Sequence, residues 1–246
     1  MKKTILKTAV IISGVLFFTA CSKDDSIKNI LKEETAGQAA QKGKPISQLT
    51  RIKTRTLGLN ITTFTYDASG RATGYTGSSF LTYDYPDASH VIETPQWSPV
   101  TNYDLNNKGL AVKATDGNSS NIFTYNAKKQ VESDFYESNG VTGNITYIYV
   151  NGNLDKMTIE SSNTSAITTA SFTYYLDKPN VLDNDVFGES FRGAGSKNLV
   201  KSRTAESNGV TGTTDYSYDF DLQGRVVKVR TAVNGTPQAD VSYSYY

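Results

Sequence analysis

Phe64-Thr65-Tyr66-Asp67-Ala68-Ser69-Gly70-Arg71 decides the fold class of this chain. Its first half alternates bulky and small residues. In an extended chain successive side chains point to opposite faces, so Phe64 and Tyr66 share one face and Thr63 and Thr65 the other. Its second half is a reversal. Asp67 and Ser69 offer side chains that hydrogen-bond nearby backbone, and Gly70 accepts the positive φ that a tight turn requires. The octapeptide reads as a strand running into a hairpin turn.

Working outward, the unit recurs. Tyr216-Ser217-Tyr218-Asp219-Phe220-Asp221-Leu222-Gln223-Gly224-Arg225 is the clearest copy. Weaker copies begin at Tyr103-Asp104, Phe123-Thr124-Tyr125-Asn126, Tyr147-Ile148-Tyr149 and Phe172-Thr173-Tyr174. The heptapeptide E-S-N-G-V-T-G occurs unchanged at 137–143 and 206–212, each time followed by Tyr-x-Tyr at the same offset, which points to duplication. Asp116-Gly117, Asn139-Gly140, Asn151-Gly152, Asn208-Gly209 and Asn234-Gly235 are dipeptides that type I′ turns prefer. Strands between such turns predict an all-β fold: an antiparallel β-hairpin meander of roughly fourteen strands, curled into a barrel-like form or an open curved sheet. The 16 tyrosines suit it, because each buries an apolar ring and keeps a polar tip.

The N-terminus carries a different signal. Lys2, Lys3 and Lys7 form a basic region, and Thr8 to Thr19 is apolar but shorter than the ~20 residues a helix needs to cross a bilayer. Phe18-Thr19-Ala20-Cys21 resembles the lipobox read by lipoprotein signal peptidase, with Phe18 where that motif usually has Leu. The resemblance implies cleavage after Ala20 and a lipid on Cys21. Ser22-Lys23-Asp24-Asp25 resembles the surface-export signal of Bacteroidota lipoproteins, and Asp25-Ser26-Ile27 that phylum's O-glycosylation tripeptide. Three parts follow: a removed signal peptide over 1–20, a lipidated Cys and flexible tether over 21–48, and a β-repeat domain over 49–246. The outer membrane is the expected location, with the β domain exposed at the cell surface and several acyl chains making a durable anchor.

The Y-x-Y-D-x-x-G-R units resemble the YD repeats of RHS-type proteins. With the lipobox and Ser196-Lys197-Asn198-Leu199 after a long loop, they more closely resemble a family of Bacteroidota surface lipoproteins of unknown function with a porin-like β fold. That resemblance implies architecture and supplies no activity.

Between 176 and 199 the rhythm breaks. Leu182, Val186 and Phe187 fall near helical spacing and predict one short helical turn; Phe187 and Phe191 are apolar residues in a segment long enough to be a lid, a binding loop or a plug. Trp97 stands in Pro95-Gln96-Trp97-Ser98-Pro99, where an indole in a stiffened loop stacks on a sugar ring or a partner, or anchors the loop to the sheet. Trp97, Phe187 and Phe191 are therefore the candidate ligand-binding residues.

Catalytic and metal chemistry find little support. One His, His90, and one Cys, taken by the lipid, leave no transition-metal ligand set. His90 after Pro86-Asp87-Ala88-Ser89 reads as a strand-start residue, although a triad assembled only in space is not visible in a sequence. Asp183-Asn184-Asp185 begins like a calcium loop, but the twelfth position is Ala194 and not a bidentate acid. An irregular calcium site at Asp183, Asp185 and Glu189 is the weak metal candidate. Gly193-Ala194-Gly195 lacks the third glycine of a dinucleotide loop, so no cofactor is expected. The leader holds three of the 25 basic residues and none of the 24 acids, so the mature chain is net −2 and carries no nucleic-acid footprint. The expected function is a lipid-anchored, non-catalytic binding or structural module whose partner is a glycan, a peptide or an envelope protein. A pore-like outer-membrane barrel and a hydrolase of surface polysaccharide are the alternatives. Charges in mid-strand, as in Val226-Val227-Lys228-Val229-Arg230, count against a lipid-facing wall.

Overall fold

In the computed structural model, residues 51–246 are described. Cys21 and the Ser22–Asp25 segment lie outside them. The strands, in chain order, are β1 (Ile52–Leu57), β2 (Asn60–Tyr66), β3 (Ala72–Thr76), β4 (Leu81–Asp84), β5 (His90–Pro95), β6 (Thr101–Leu105), β7 (Ala111–Asp116), β8 (Ser119–Tyr125) and β9 (Val131–Ser138). They continue as β10 (Val141–Val150), β11 (Asn153–Ser161), β12 (Thr164–Pro179), β13 (Asn198–Ser207), β14 (Val210–Phe220), β15 (Val226–Val233), β16 (Thr236–Pro237) and β17 (Val241–Tyr245).

Each strand from β1 to β15 pairs antiparallel with the next, and β17 pairs with both β15 and β1. The meander is thus a closed barrel of sixteen strands, with β16 a two-residue extra strand beside β15. This corrects the expectation of about fourteen strands and removes the open sheet: the short β3 and β4, of 5 and 4 residues, are easily lost in an alternation count, and closure depends on register between the first and last strands.

Consecutive turns of a meander alternate between the two ends. One end carries mostly two-residue loops. At Asn139-Gly140, Asn208-Gly209 and Asn234-Gly235 both residues have positive φ, as a type I′ turn demands. The Asp116-Gly117 expectation is shifted by one residue: Asp116 pairs with Ser119, so the loop is Gly117-Asn118. The other end carries the repeat turns. Asp67 accepts hydrogen bonds from the Ser69 and Arg71 backbone N–H groups, both at 2.9 Å, and pairs with the Arg71 guanidinium at 2.7 Å. Asp221 does the same with Gln223 and Arg225, while Asn106 and Asn126 keep the backbone bonds without the arginine.

The repeated tyrosine has a definite task at that end. The odd-numbered strands from β1 to β15, β5 excepted, contain an extra residue there, a β-bulge that takes a carbonyl out of the ladder. Ile52, Ala72, Ala111, Leu154, Val200 and Val226 each sit at such a register shift. Their carbonyls accept hydrogen bonds from the hydroxyls of Tyr66, Tyr85, Tyr125, Tyr174, Tyr218 and Tyr245, at 2.7 to 3.0 Å. Each donor lies on the returning strand of the same hairpin, or one residue beyond it. The repeat is therefore a latch, a turn and a bulge made in one stroke, and each latch is worth about 1 kcal/mol.

A sixteen-stranded barrel is wide enough to leave a lumen. Here the segment 180–197 enters it at the latched end. β12 extends to Pro179 and β13 starts at Asn198, so the interruption is shorter than the expected 176–199. The helical turn also falls later than expected, as a 3₁₀ turn at Ser190–Arg192, because Asn184 to Gly188 is taken up by turns closed by Gly188 at φ 75°. Leu182 and Phe187 pack with Ile52, Phe64, Tyr216, Val226 and Tyr243 in one core cluster. Phe191 fills a second, with Leu81, Tyr83, Val91 and Tyr103.

Candidate functional site in the open lumen

The register assigns every strand residue to the inside or the outside of the wall. Outward positions are dominated by Ser and Thr, which pair across strands: Thr54 with Ser244 at 2.6 Å, Thr124 with Ser133 and Thr173 with Ser202 at 2.7 Å. Outward charges pair likewise, Arg230 with Asp219 at 2.8 Å and Lys228 with Asp240 at 3.5 Å. Inward positions hold most of the aromatic residues, while Ile122, Phe135 and Ile148 are exposed on the outer face. The outer face is mainly polar and the inner face mainly aromatic, unlike the continuous apolar band of a wall facing lipid.

At the latched end the plug is fixed by a buried ionic cluster. Arg192 pairs with Glu93 and, at 2.9 Å, with Glu189. Tyr83 donates to Glu189 at 2.9 Å and Tyr103 to Glu93 at 3.0 Å. Burial alone would favour the neutral guanidine; the two hydroxyls and two carboxylates outweigh it and hold Arg192 firmly protonated. Burial likewise lifts the Tyr103 hydroxyl to about 12.

Away from the plug the interior is less tightly filled. Along β8–β12 the inward side chains of Asn121, Phe123, Asp134, Tyr136, Tyr147 and Phe172 are only half-buried, although they point into the barrel. The Tyr147 hydroxyl has no hydrogen-bond partner among the described residues, and the one fully buried side-chain polar atom without a partner is Arg51 Nε. Tyr147 therefore keeps its hydroxyl unpaired by protein in the lumen. Asn121 donates to Asp134 at 2.8 Å. Burial raises the Asp134 carboxyl above the usual range, partly offset by that bond. Burial and the nearby Asp134 push the Tyr147 hydroxyl up in turn. Aromatic faces, an amide, a carboxylate and a free phenol suit stacking and hydrogen bonding to a polar ligand.

The residues singled out in the sequence fall elsewhere. Trp97 sits in the β5–β6 turn at the open rim, 75% exposed. Phe191 is 4% exposed, edge-on to Tyr83 and Tyr103; Phe187 packs edge-on to Phe64 and Tyr243. Both phenylalanines contact the barrel wall from the plug, at the end opposite Trp97. Asp183, Asp185 and Glu189 do not converge: Asp183 accepts from the Asp185 N–H, Asp185 lies 3.8 Å from Arg51, and Glu189 is held by Arg192. Among the described residues no group of three or more His, Cys, Asp or Glu could hold a metal. His90 begins β5, and its Nδ1 meets Asp87 at 2.8 Å and Ser89 at 3.5 Å. Acid and hydroxyl meet the same ring nitrogen, and Nε2 lies 3.8 Å from Asp104. The His90 and Ser89 contacts hold the Asp87 carboxyl at about 2.

Asp134, Asn121 and the inward side of Tyr147 were missed in the sequence. The available signal was Ser133-Asp134-Phe135, an acid in mid-strand whose neighbours face outward.

Taken together, the architecture is a closed and internally plugged antiparallel barrel. Two solved structures share the fold. A porin-like protein from Bacteroides uniformis superposes with a TM-score of 0.61 at 20% identity, over 83% of this chain and 100% of that one. A porin-like protein from Bacteroides vulgatus gives 0.57 at 13% identity, over 80% and 98%. No protein-family model matches the chain, and no curated protein does.

Proposed function

We propose that the chain is a lipid-tethered, water-exposed receptor barrel of the bacterial outer membrane, with Cys21 as its acylated residue, Ser22-Lys23-Asp24-Asp25 as its surface-export signal, and the lumen beside β8–β12 as a non-catalytic site for a glycan or peptide. The observation that carries the reading is the polarity of the wall. A spanning barrel presents an apolar band of about 25 Å to lipid. This one presents Ser–Thr pairs and Arg–Asp pairs broken only by scattered apolar residues such as Ile122, Phe135 and Ile148, and keeps most of its aromatic rings inside. The porin-like relatives share the shape, and a pore is the alternative that shape invites. The plug, pinned by Arg192, fills one end of the lumen and weighs against conduction.

Glycan and peptide arrays probed with wild type, Tyr147→Ala and Trp97→Ala test the reading. Binding by wild type that Tyr147→Ala abolishes is expected, with Trp97→Ala weakening it. Signal indifferent to Tyr147→Ala would remove the lumen as the site. Ion flux in planar bilayers would overturn the receptor in favour of the pore.

A further inference from the structure

A second cavity, of about 150 Å³, lies at the latched end, between the β8–β9 turn, the β10–β11 turn and the exit of the plug. Lys128, Gln130, Asn151, Gly152, Gly195 and Lys197 line it, with no carboxylate among its lining residues. Its floor is rigid. Gln130 is 3% exposed, and its amide donates to the carbonyls of Gly152, at 2.9 Å, and Gly195. The Lys197 N–H donates to Gly152 at 2.9 Å, and the Ala194 N–H to Lys129 at 2.8 Å. Gln130 so ties both turns to the plug, and a substituent on Gly152 would meet the Lys197 Cβ at 3.5 Å and the Lys128 ammonium at 3.7 Å. Lys128 and Lys197 make no ion pair among the described residues, although most of the arginines here do.

We infer that this cavity is a binding site for a small oxyanion of the phosphate class. The Lys128 ammonium stands at the hollow and the Lys197 side chain lines it, with no carboxylate in the lining to neutralise them. A phosphate group fits the space and accepts charge-assisted hydrogen bonds from both. The position adds a source to the chemistry. The chain enters the barrel at this same end, through Arg51 and β1, so a tether to a membrane would bring the cavity towards phosphorylated headgroups. Free phosphate and a headgroup phosphate present the same oxygens, and experiment separates them.

The full chain carrying Cys21→Ser, with and without Lys128→Gln and Lys197→Gln together, is titrated calorimetrically with inorganic phosphate. It is then sedimented with phosphatidylglycerol or phosphatidylcholine vesicles. Saturable phosphate binding, weakened about tenfold or more in the double variant, is expected. Added retention on phosphatidylglycerol vesicles, lost in the same variant, assigns the headgroup as the source; phosphate binding without retention assigns a soluble phosphorylated ligand. No saturable phosphate binding, or binding unchanged in the double variant, overturns the site, even if vesicles are retained by general charge. Tyr147→Ala leaves phosphate binding unchanged, so this site and the lumen fail or stand separately.

Discussion

The tyrosines of the repeat are used in opposite ways at the latched end of the barrel and in its open lumen. At the latched end, hydroxyls close bulge carbonyls and the plug packs against the rings. Towards the open lumen, Tyr147 occupies an equally inward position and keeps its hydroxyl free. One residue type thus serves as structural pin or as ligand-ready group, according to whether a bulge carbonyl lies within reach. The lesson is that stability is concentrated where the chain enters, and the proposed recognition site lies where the wall is unfilled.

The largest test of that contrast is Arg192→Met. It leaves Glu93 and Glu189 facing each other in the interior without their cation, and removing one partner of a buried ionic cluster costs about 3–5 kcal/mol. Urea unfolding checks it; a cost near zero would mean that the plug is not pinned there. A smaller effect separates the two tyrosine classes. Tyr66→Phe removes a 2.7 Å bond to the Ile52 carbonyl and strands a buried acceptor, for about 1 kcal/mol, whereas Tyr147→Phe leaves stability unchanged and weakens ligand binding. Equal losses in both would erase the distinction.

The smallest effect is one of pH. Burial works against the Asp67 charge, but the Arg71 backbone and guanidinium and the Ser69 hydroxyl outweigh it and hold the carboxyl below its ordinary 3.8. A folded value below the unfolded one stabilises above the ordinary value, and that contribution is lost as pH falls through the folded value. Asp67→Asn should therefore flatten the acid limb of the stability curve. The same turn already tolerates Asn at Asn106 and Asn126. Thermal melts from neutral pH down to acid read the difference, and identical acid limbs would contradict it.

Much of the architecture was legible because alternation and turn chemistry are local. Phe64 and Tyr66 do face inward, and Asp67 to Gly70 do make the turn. Closure was not legible: the pairing of β1 with β17 joins residues almost two hundred positions apart, and nothing in either strand announces its partner. The bulges were equally hidden, since one inserted residue such as Lys201 or Val227 looks like ordinary strand. Of the candidate site, Trp97 reached the open rim, while Phe187 and Phe191 went to the plug because large apolar side chains in a loop gain most by entering a vacant interior. Asp134 was invisible because its side of the wall follows from register alone.

Everything here turns on which solvent the outer wall meets. Spin labels placed one at a time at outward Thr169, Thr204, Thr213 and Ser217, in the lipid-anchored chain on outer-membrane vesicles, measure this by comparing collision with a water-soluble nickel complex and with oxygen. Water-dominated accessibility at all four positions is expected. A continuous band of oxygen-dominated, lipid-like accessibility across them would contradict the receptor barrel and restore the pore.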